Sequence, residues 1–446
     1  MKQRLSHWAV VAGAMVFGCV VRADEALTRV VTLKGAVEER LRADYPDLEA
    51  LYKHLHRHPE LSFQEEKTAA RLAVEMRQIG FQVTEKVGGH GLVCLFRNGD
   101  GPTVMVRTDM DALPIVERTG LPYASQVRVR DRSGQEVGVM HACGHDVHMA
   151  CWVGTARVLV ALKEHWRGTL MFVAQPAEER GAGARMMLED GLFKRFPKPD
   201  YALALHCDSL LPYGHVGYTE GLALANVDSV DITLYGRGGH GSAPHTTVDP
   251  IVLAAQLILD LQTIVSRETD PTDPVVVTVG SIHGGSKHNI IPAEVKLQLT
   301  VRTFKDSTRK QVLEAIERKA KAAAQGARAP APLVHVDPGE FTPAMENDIP
   351  LTRRTVAALK AVLGEDRVHS KPPVMGGEDF SRYGRAGVPI CMFRLGTIAP
   401  QKILEAARVG EPLPSLHSDR FYPIPEPTIK TGVQAMTAAV LNLLGP

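Results

Sequence analysis

Apolar positions along the chain follow two alternating periods. From Asp47 to Ile79 they recur at helical spacing. Leu48, Leu51, Tyr52 and Leu55 mark one face, Pro59 interrupts it, and Ala69, Ala70, Ala73 and Met76 mark a second face that Gly80 ends. Strand-like stretches follow at Phe81–Val87 and Leu92–Phe96, joined through Gly88-Gly89. A short apolar run at 103–106 ends in Arg107-Thr108-Asp109-Met110-Asp111. A helical pattern then begins at about Val147 and stops at Gly168. Thr169–Ala174 is continuously apolar, like strands buried on both faces of a parallel sheet, and ends in Gln175-Pro176-Ala177-Glu178-Glu179. Tyr201–Leu205 ends in the same way at His206. Apolar strands alternating with helices, each delivering polar residues just past its C-terminal end, predict an α/β fold. The expected sheet is mixed and mostly parallel, flanked by helices, with a ligand crevice at that edge.

The texture changes near Asn226. Strand patterns at Ser229–Tyr235, 275–279, 295–303 and 333–336 alternate with helical patterns at 250–265 and 307–324. This βαββαβ order predicts a compact α+β domain over 226–340, inserted between catalytic segments 24–225 and 341–446. A chain of 446 residues is too long for one core, which agrees with two domains. At the N-terminus, Lys2 and Arg4 precede an apolar run from Trp8 to Val21, and Val21-Arg22-Ala23 offers small residues for cleavage. Residues 1–23 therefore read as a secretory signal peptide, and a periplasmic or secreted protein is expected. Val16-Phe17-Gly18-Cys19 resembles a lipoprotein box, but Phe17 is too bulky for that pattern, so lipid anchoring at Cys19 is the alternative. No other stretch reads as a membrane span. Net charge is 51 − 50 = +1, and there is no long basic run, so nucleic acid is not an expected partner.

Chemistry concentrates in His141-Ala142-Cys143-Gly144-His145-Asp146-Val147-His148, at the start of the central helix. A helix N-terminus favours a thiolate, and Cys and His side chains together suit a borderline divalent metal. Cys94, Cys143, Cys151, Cys207 and Cys391 remain after cleavage, an odd number without Cys-x-x-Cys, so at least one thiol is expected free or metal-bound. Glu178-Glu179 past a buried strand provides what a metal hydrolase needs: one carboxylate to ligate and one to take a proton from water. Gly236-Arg237-Gly238-Gly239-His240-Gly241 fits a dinucleotide fingerprint in letters only. Pro244 follows it and the next helix waits until Pro250, so a loop presenting His240 is the better reading. Gly-x-Ser-x-Gly is absent. Cys143 could instead be a nucleophile paired with a His, which would leave Glu178-Glu179 without a role.

Taken together, these motifs resemble the M20 metallopeptidase family. Those that carry the resemblance are 141–146, 175–179, His206, Gly376-Gly377-Glu378-Asp379-Phe380 and Leu416-His417-Ser418. Supporting stretches are 55–62, 107–114 and His288-Asn289-Ile290-Ile291-Pro292. Within the family they are similar to the amidohydrolase branch of hippurate hydrolase and the indole-acetyl-amino-acid hydrolases. The resemblance implies a di-zinc exopeptidase fold and hydrolysis of N-acyl amino acids or C-terminal residues of short peptides. It implies two divalent metal ions, zinc or else manganese, held by Cys143, His145, Glu179, His206 and His417, with Glu178 as general base for a metal-bound water. The insertion would be a lid and dimerisation domain. His240 would stabilise the oxyanion, in cis or across a homodimer, while Asn289 and Arg302 would hold the substrate carboxylate. Other branches carry a metal-binding His two residues before Asp109; here that position is Arg107, so Asp109 is assigned to orientation. Arg180, Gly241-Ser242 and extra length over 401–415 depart from the branch pattern and bear on the substrate pocket. A thiol hydrolase using Cys143 and a non-catalytic periplasmic binding protein are the rival classes.

Overall fold

The computed structural model describes residues 7–131 and 133–446, with side chains from Glu25 onward. The expected leader, Cys19 included, lies outside the residues whose side chains are described. The chain divides into two compact units. The first comprises residues up to Gly221, Asn347–Pro372 and Tyr383–Pro446; the second comprises Leu222–Glu346 with Pro373–Arg382. The segment bearing Gly376-Gly377-Glu378-Asp379 thus belongs with the insertion, not with the 341–446 stretch where the sequence reading placed it.

In chain order, helices α1 (His7–Arg57) and α2 (Glu66–Ile79) precede strands β1 (Gln82–Val87), β2 (Gly91–Asn98) and β3 (Thr103–Asp109). Helix α3 (His145–Ala161) leads to β4 (Gly168–Gln175), β5 (Tyr201–Pro212) and the short β6 (Val216–Tyr218). The second unit supplies β7 (Asn226–Tyr235), β8 (Gly239–His240), α4 (Pro250–Thr263), β9 (Val275–Gly284), β10 (Ile290–Ile291), β11 (Glu294–Thr303), α5 (Asp306–Gly326) and β12 (Leu333–Val336). The first unit resumes with α6 (Ile349–Leu363), β13 (Val368–Ser370), β14 (Ile390–Ile398), α7 (Pro400–Val409) and α8 (Pro425–Leu443).

The first unit is built on an eight-stranded sheet of order β1-β2-β4-β3-β5-β14-β6-β13. Its four central strands, β4, β3, β5 and β14, run parallel, and antiparallel pairs at β1–β2, β2–β4 and β14–β6 make it mixed. Helices cover it through one continuous core. Leu48, Leu51 and Tyr52 of α1, Leu72 and Met76 of α2, Trp152 of α3 and Val433 of α8 are all buried there. Each such side chain contributes about 1.5–3 kcal/mol relative to leaving it exposed. Helix α1 is longer than the Asp47 start expected from the sequence. Its upstream turns bury Val30, Leu33, Val37 and Leu41, and it runs through Pro46. Arg29 ties its early turns to the carboxyl end of α8, where Nη2 donates to the carbonyls of Leu441 (2.7 Å) and Leu444 (2.6 Å).

The second unit is an antiparallel sheet of order β9-β11-β7-β12, with a core shared by α4 and α5. Leu253, Leu257 and Leu261 of α4 and Val312, Ile316 and Ala320 of α5 line that core at helical spacing. Among the described residues one helical stretch, Pro250–Glu268, is long and apolar enough by composition to cross a membrane, with mean hydropathy 1.3. The sequence reading finds no span beyond the leader and misses this stretch, because its apolar residues count there as the buried face of a domain helix. It buries one face in the core and leaves Ile251, Val252 and Leu259 exposed.

Candidate metal centre

Four elements of the first unit bring polar side chains to one place. Strand β3 ends in Asp109, and Asp111 lies just beyond it. Strand β4 is followed by Glu178 and Glu179, β5 carries His206, and α3 begins at His145 with Cys143 just before it. Backbone conformation matters at three points. Gly144 has φ +81°, and a Cβ there would lie 2.8 Å from Cys207 Sγ, so only glycine fits. Ala177 (φ +50°) and His417 (φ +66°) are non-glycine residues held in the left-handed region. The His417 amide donates to Ala142 O at 2.9 Å, which joins the tail of the chain to the 141–148 motif.

The side chains converge. Cys143, His145 and His206 offer ligand atoms within 4.8 Å of one another, as do Cys143, Glu179 and His417, and again His145, Glu178 and Glu179. Cys143 Sγ lies 3.5 Å from His206 Nε2, and His417 Nε2 lies 3.5 Å from Glu179 Oε2. The imidazoles are oriented from behind. His145 Nδ1 donates to Asp111 O (2.8 Å) and His206 Nδ1 to Cys207 O (2.8 Å), which turns each Nε2 toward the cluster. Among the described residues, His145 Nε2 and Glu179 Oε1 are buried without a hydrogen-bond partner. Unpartnered buried groups of this kind are expensive unless something occupies the space between them. Thiol, imidazole and carboxylate donors around such a space fit divalent metal.

The electrostatics agree. Burial, followed by the charges of Glu179 and Glu178, pushes the Cys143 thiol well above its ordinary value. This corrects the expectation that the helix N-terminus alone would favour a thiolate: burial first, and then the neighbouring carboxylates, outweigh it, and a nearby cation is needed to reverse them. Burial likewise raises the Glu179 carboxyl to about 7, with His145 pulling it down and Asp111 raising it.

Three polar residues near the cluster are held by protein partners. Asp109 receives His148 Nδ1 at 2.7 Å on one oxygen and Arg107 Nη1 at 2.7 Å on the other. His148 Nε2 in turn accepts the Cys207 amide at 2.8 Å, so both its nitrogens are used and β5 is pinned beside His206. Asp111, given no role from sequence, accepts the amides of Glu178 (3.1 Å) and Glu179 (3.0 Å) and the Ser62 hydroxyl (2.6 Å). The spacing Asp109-x-Asp111 past a strand end was the only signal that could have found it.

In the second unit, His240 on β8 pairs with Ile290 on β10, and the Gly241 amide donates to Asn289 O at 2.8 Å, so His240 and Asn289 are neighbours. The Ser242 amide donates to His240 Nδ1 at 3.1 Å, which places the ring proton on Nε2. Arg302 stands on β11, where its Nε donates to Thr300 Oγ1 at 3.0 Å.

A buried ion-pair cluster supports the α3 N-terminus. His56 Nδ1 meets Asp146 Oδ2 at 2.7 Å and Nε2 meets Glu117 Oε1 at 3.0 Å. Burial alone would lower the His56 pKa, but these two hydrogen bonds outweigh it and carry it from 6.5 to about 9. Because the folded value lies above the unfolded one, this contribution to stability is fully present below pH 6.5 and is lost as pH rises through about 9. The melting temperature of metal-loaded protein should therefore fall between these pH values, and the fall should be smaller in His56→Asn. Parallel slopes in thermal scans across that range would refute it.

Similarity to known proteins fixes the family. The family described as Peptidase family M20/M25/M40 matches residues 105–440. The chain belongs to this family. Within M20 it falls on the amidohydrolase branch. It is 37 % identical over 399 residues to a Synechocystis protein named probable hydrolase sll0100, spanning 88 % of this chain and 95 % of that one. It is also 37 % identical to the N-acetylcysteine deacetylase of Bacillus subtilis, over 74 % of this chain and 83 % of the relative. The crystal structure of B. subtilis YxeP, a dinuclear metal-binding peptidase of the M20 family, superimposes with a TM-score of 0.73 at 30 % identity. That match covers 90 % of this chain and 99 % of YxeP. The M20 fold, with its mostly parallel central sheet, is therefore the fold of this chain, and its chemistry is that of a metal-binding hydrolase.

Proposed function

We propose that this M20 protein is a two-metal amidohydrolase that releases the acyl group from N-acyl amino acids, or a C-terminal residue from short peptides. The observation that carries the reading is the convergence of Cys143, His145, Glu179, His206 and His417, with His145 Nε2 and Glu179 Oε1 buried and without hydrogen-bond partners among the described residues and Glu178 beside them. Two bound divalent cations would polarise the amide carbonyl and ease deprotonation of a water. Thiolate and imidazole ligands favour zinc, and the carboxylate leaves manganese as the alternative. Glu178 takes the proton of the attacking water and passes it to the leaving amine. His240, its proton on Nε2, donates to the oxyanion. Asn289 and Arg302 hold the free α-carboxylate, Arg302 through a bidentate contact. Asp109 orients rather than ligates, since both its oxygens are taken by Arg107 and His148.

Exposed Ile251, Val252 and Leu259 on α4, with β9 at the edge of its sheet, support a homodimer formed through the insertion. The leader pattern of residues 1–23 supports export to the periplasm or beyond, with lipid anchoring at Cys19 as the alternative.

The test is to count metal atoms per chain in purified protein and to assay a panel of N-acetyl and N-benzoyl amino acids with and without chelator. About two metals per chain, with hydrolysis that chelator abolishes and zinc or manganese restores, is the expected result. Hydrolysis indifferent to chelator, or no binding of either metal, would overturn the reading.

A further inference from the structure

The link between α1 and α2 carries none of the groups assigned to chemistry, yet it reaches directly under the loop that carries Glu178. Glu65, fully buried, accepts the Ala177 amide on Oε1 at 2.8 Å and the Phe63 amide on the same oxygen at 2.9 Å. Ser62, from the same link, donates to Asp111, and Asp111 holds the next two amides, those of Glu178 and Glu179. Three successive backbone N–H groups, 177 to 179, are thus gripped by two buried carboxyl groups. The first of the three residues is the strained one: Ala177 at φ +50° is fully buried in a conformation that L side chains rarely adopt. The loop closes tightly on this residue. Its carbonyl accepts the amides of Ala182 and Gly183, both at 3.2 Å, and a Cβ on Gly183 would lie 1.6 Å from Pro176 O.

We propose that Glu65 is a positioning residue for the hydrolytic reaction, holding the left-handed turn at Ala177 from which Glu178 is presented to substrate. The proposal rests on the reading of Glu178 as general base. Without the Glu65 acceptor the buried Ala177 amide loses its partner, and the turn relaxes towards the right-handed or extended region that alanine prefers. Such a relaxation would swing the Glu178 carboxylate off line, and a small misplacement of a catalytic group is costly in rate. Burial, reinforced by Asp111, raises the Glu65 carboxyl to about 8, so near neutral pH it is largely protonated and glutamine is a close replacement that keeps the Oε1 acceptor.

The experiment compares Glu65→Gln, Glu65→Leu and Glu65→Leu/Ala177→Gly with the parent. Each is metal-loaded and assayed on the N-acyl amino acid that the parent hydrolyses fastest. Glu65→Leu should lower kcat by about 30- to 100-fold with KM within about twofold and unchanged metal content, the range expected for a displaced catalytic base. Glu65→Gln should stay within about threefold of the parent, and glycine at 177, which accepts a positive φ freely, should recover several-fold of the loss. Hydrogen exchange in the peptide covering 175–183, read on metal-free protein, should speed up in Glu65→Leu and not in Glu65→Gln. If the Leu variant does not fold, Glu65→Asp, which draws the carboxyl back by one methylene, reads the same contact. Equal losses in the Gln and Leu variants, or a loss that only follows lost metal, would overturn the proposal. If Glu178→Gln keeps its turnover, the general-base reading is what fails. If Glu178→Gln is inactive while Glu65→Leu turns over like the parent, the positioning role alone falls.

Discussion

Replacing Glu178 by Gln is expected to leave the metal content of the protein unchanged and to lower kcat by about a thousandfold, within the range for removal of a general base. Glutamine keeps the size and the backbone contacts of Glu178, including its amide hydrogen bond to Asp111, but has no basic oxygen to accept a proton. KM should change little, because the lost interaction belongs to the transition state. The separation of metal binding from turnover is the informative part. A variant that loses metal along with activity would make Glu178 a ligand, and one that stays active would move the base elsewhere. Elemental analysis beside steady-state kinetics distinguishes the three outcomes.

Cys143→Ala should have an effect of similar size by another route. Cys143 Sγ belongs both to the set with His145 and His206 and to the set with Glu179 and His417. Deleting it removes a donor from both, so metal content should fall below that of the parent and kcat should fall by at least a hundredfold, as expected when a first ligand is lost. Added zinc should restore activity only at concentrations well above those the parent needs. A thiol nucleophile predicts the reverse pattern, with full metal content and no turnover at any metal concentration. Alkylation offers an independent check. The buried thiol, held protonated by Glu179 and Glu178 when no cation is present, should react slowly, and bound metal should protect it further.

Much of the first unit could be read from the sequence because its strands are buried on both faces and end in polar residues. β4 and β5 stand out as apolar runs; Glu178 and Glu179 follow the end of β4, while β5 runs on through His206 to Pro212 rather than ending there as its sequence suggested. Cys143 and His145 are visible for the same reason, at the first turn of an apolar helix. Other features left no such trace. The upstream face of α1 has regular spacing (Val30, Leu33, Val37, Leu41), but it lies beside a leader pattern and ahead of Pro46, where a helix is expected to break. The insertion of β14 between β5 and β6 depends on pairing across nearly two hundred residues, and no local pattern encodes it. His417 is separated from Cys143 by the whole inserted unit, so only the resemblance pointed to it. Glu65 and Glu117 read as ordinary acidic residues, and Asp111 and Asp146 stand inside motifs without a role of their own, since their burial and their partners exist only in the folded chain.

The docking of α1 against α8 has a consequence for how the molecule is assembled. Arg29 is held by carbonyls more than four hundred positions away, and the apolar face of α1 finds its cover on helices from the opposite end of the chain. Contacts of such sequence separation form late and slowly. Leu222–Glu346, most of the second unit, is one continuous stretch able to condense while its surroundings are still incomplete. The apolar face of α1 would thus stay uncovered until α8 docks on it, and the inserted unit would be structured before the sheet domain around it closes.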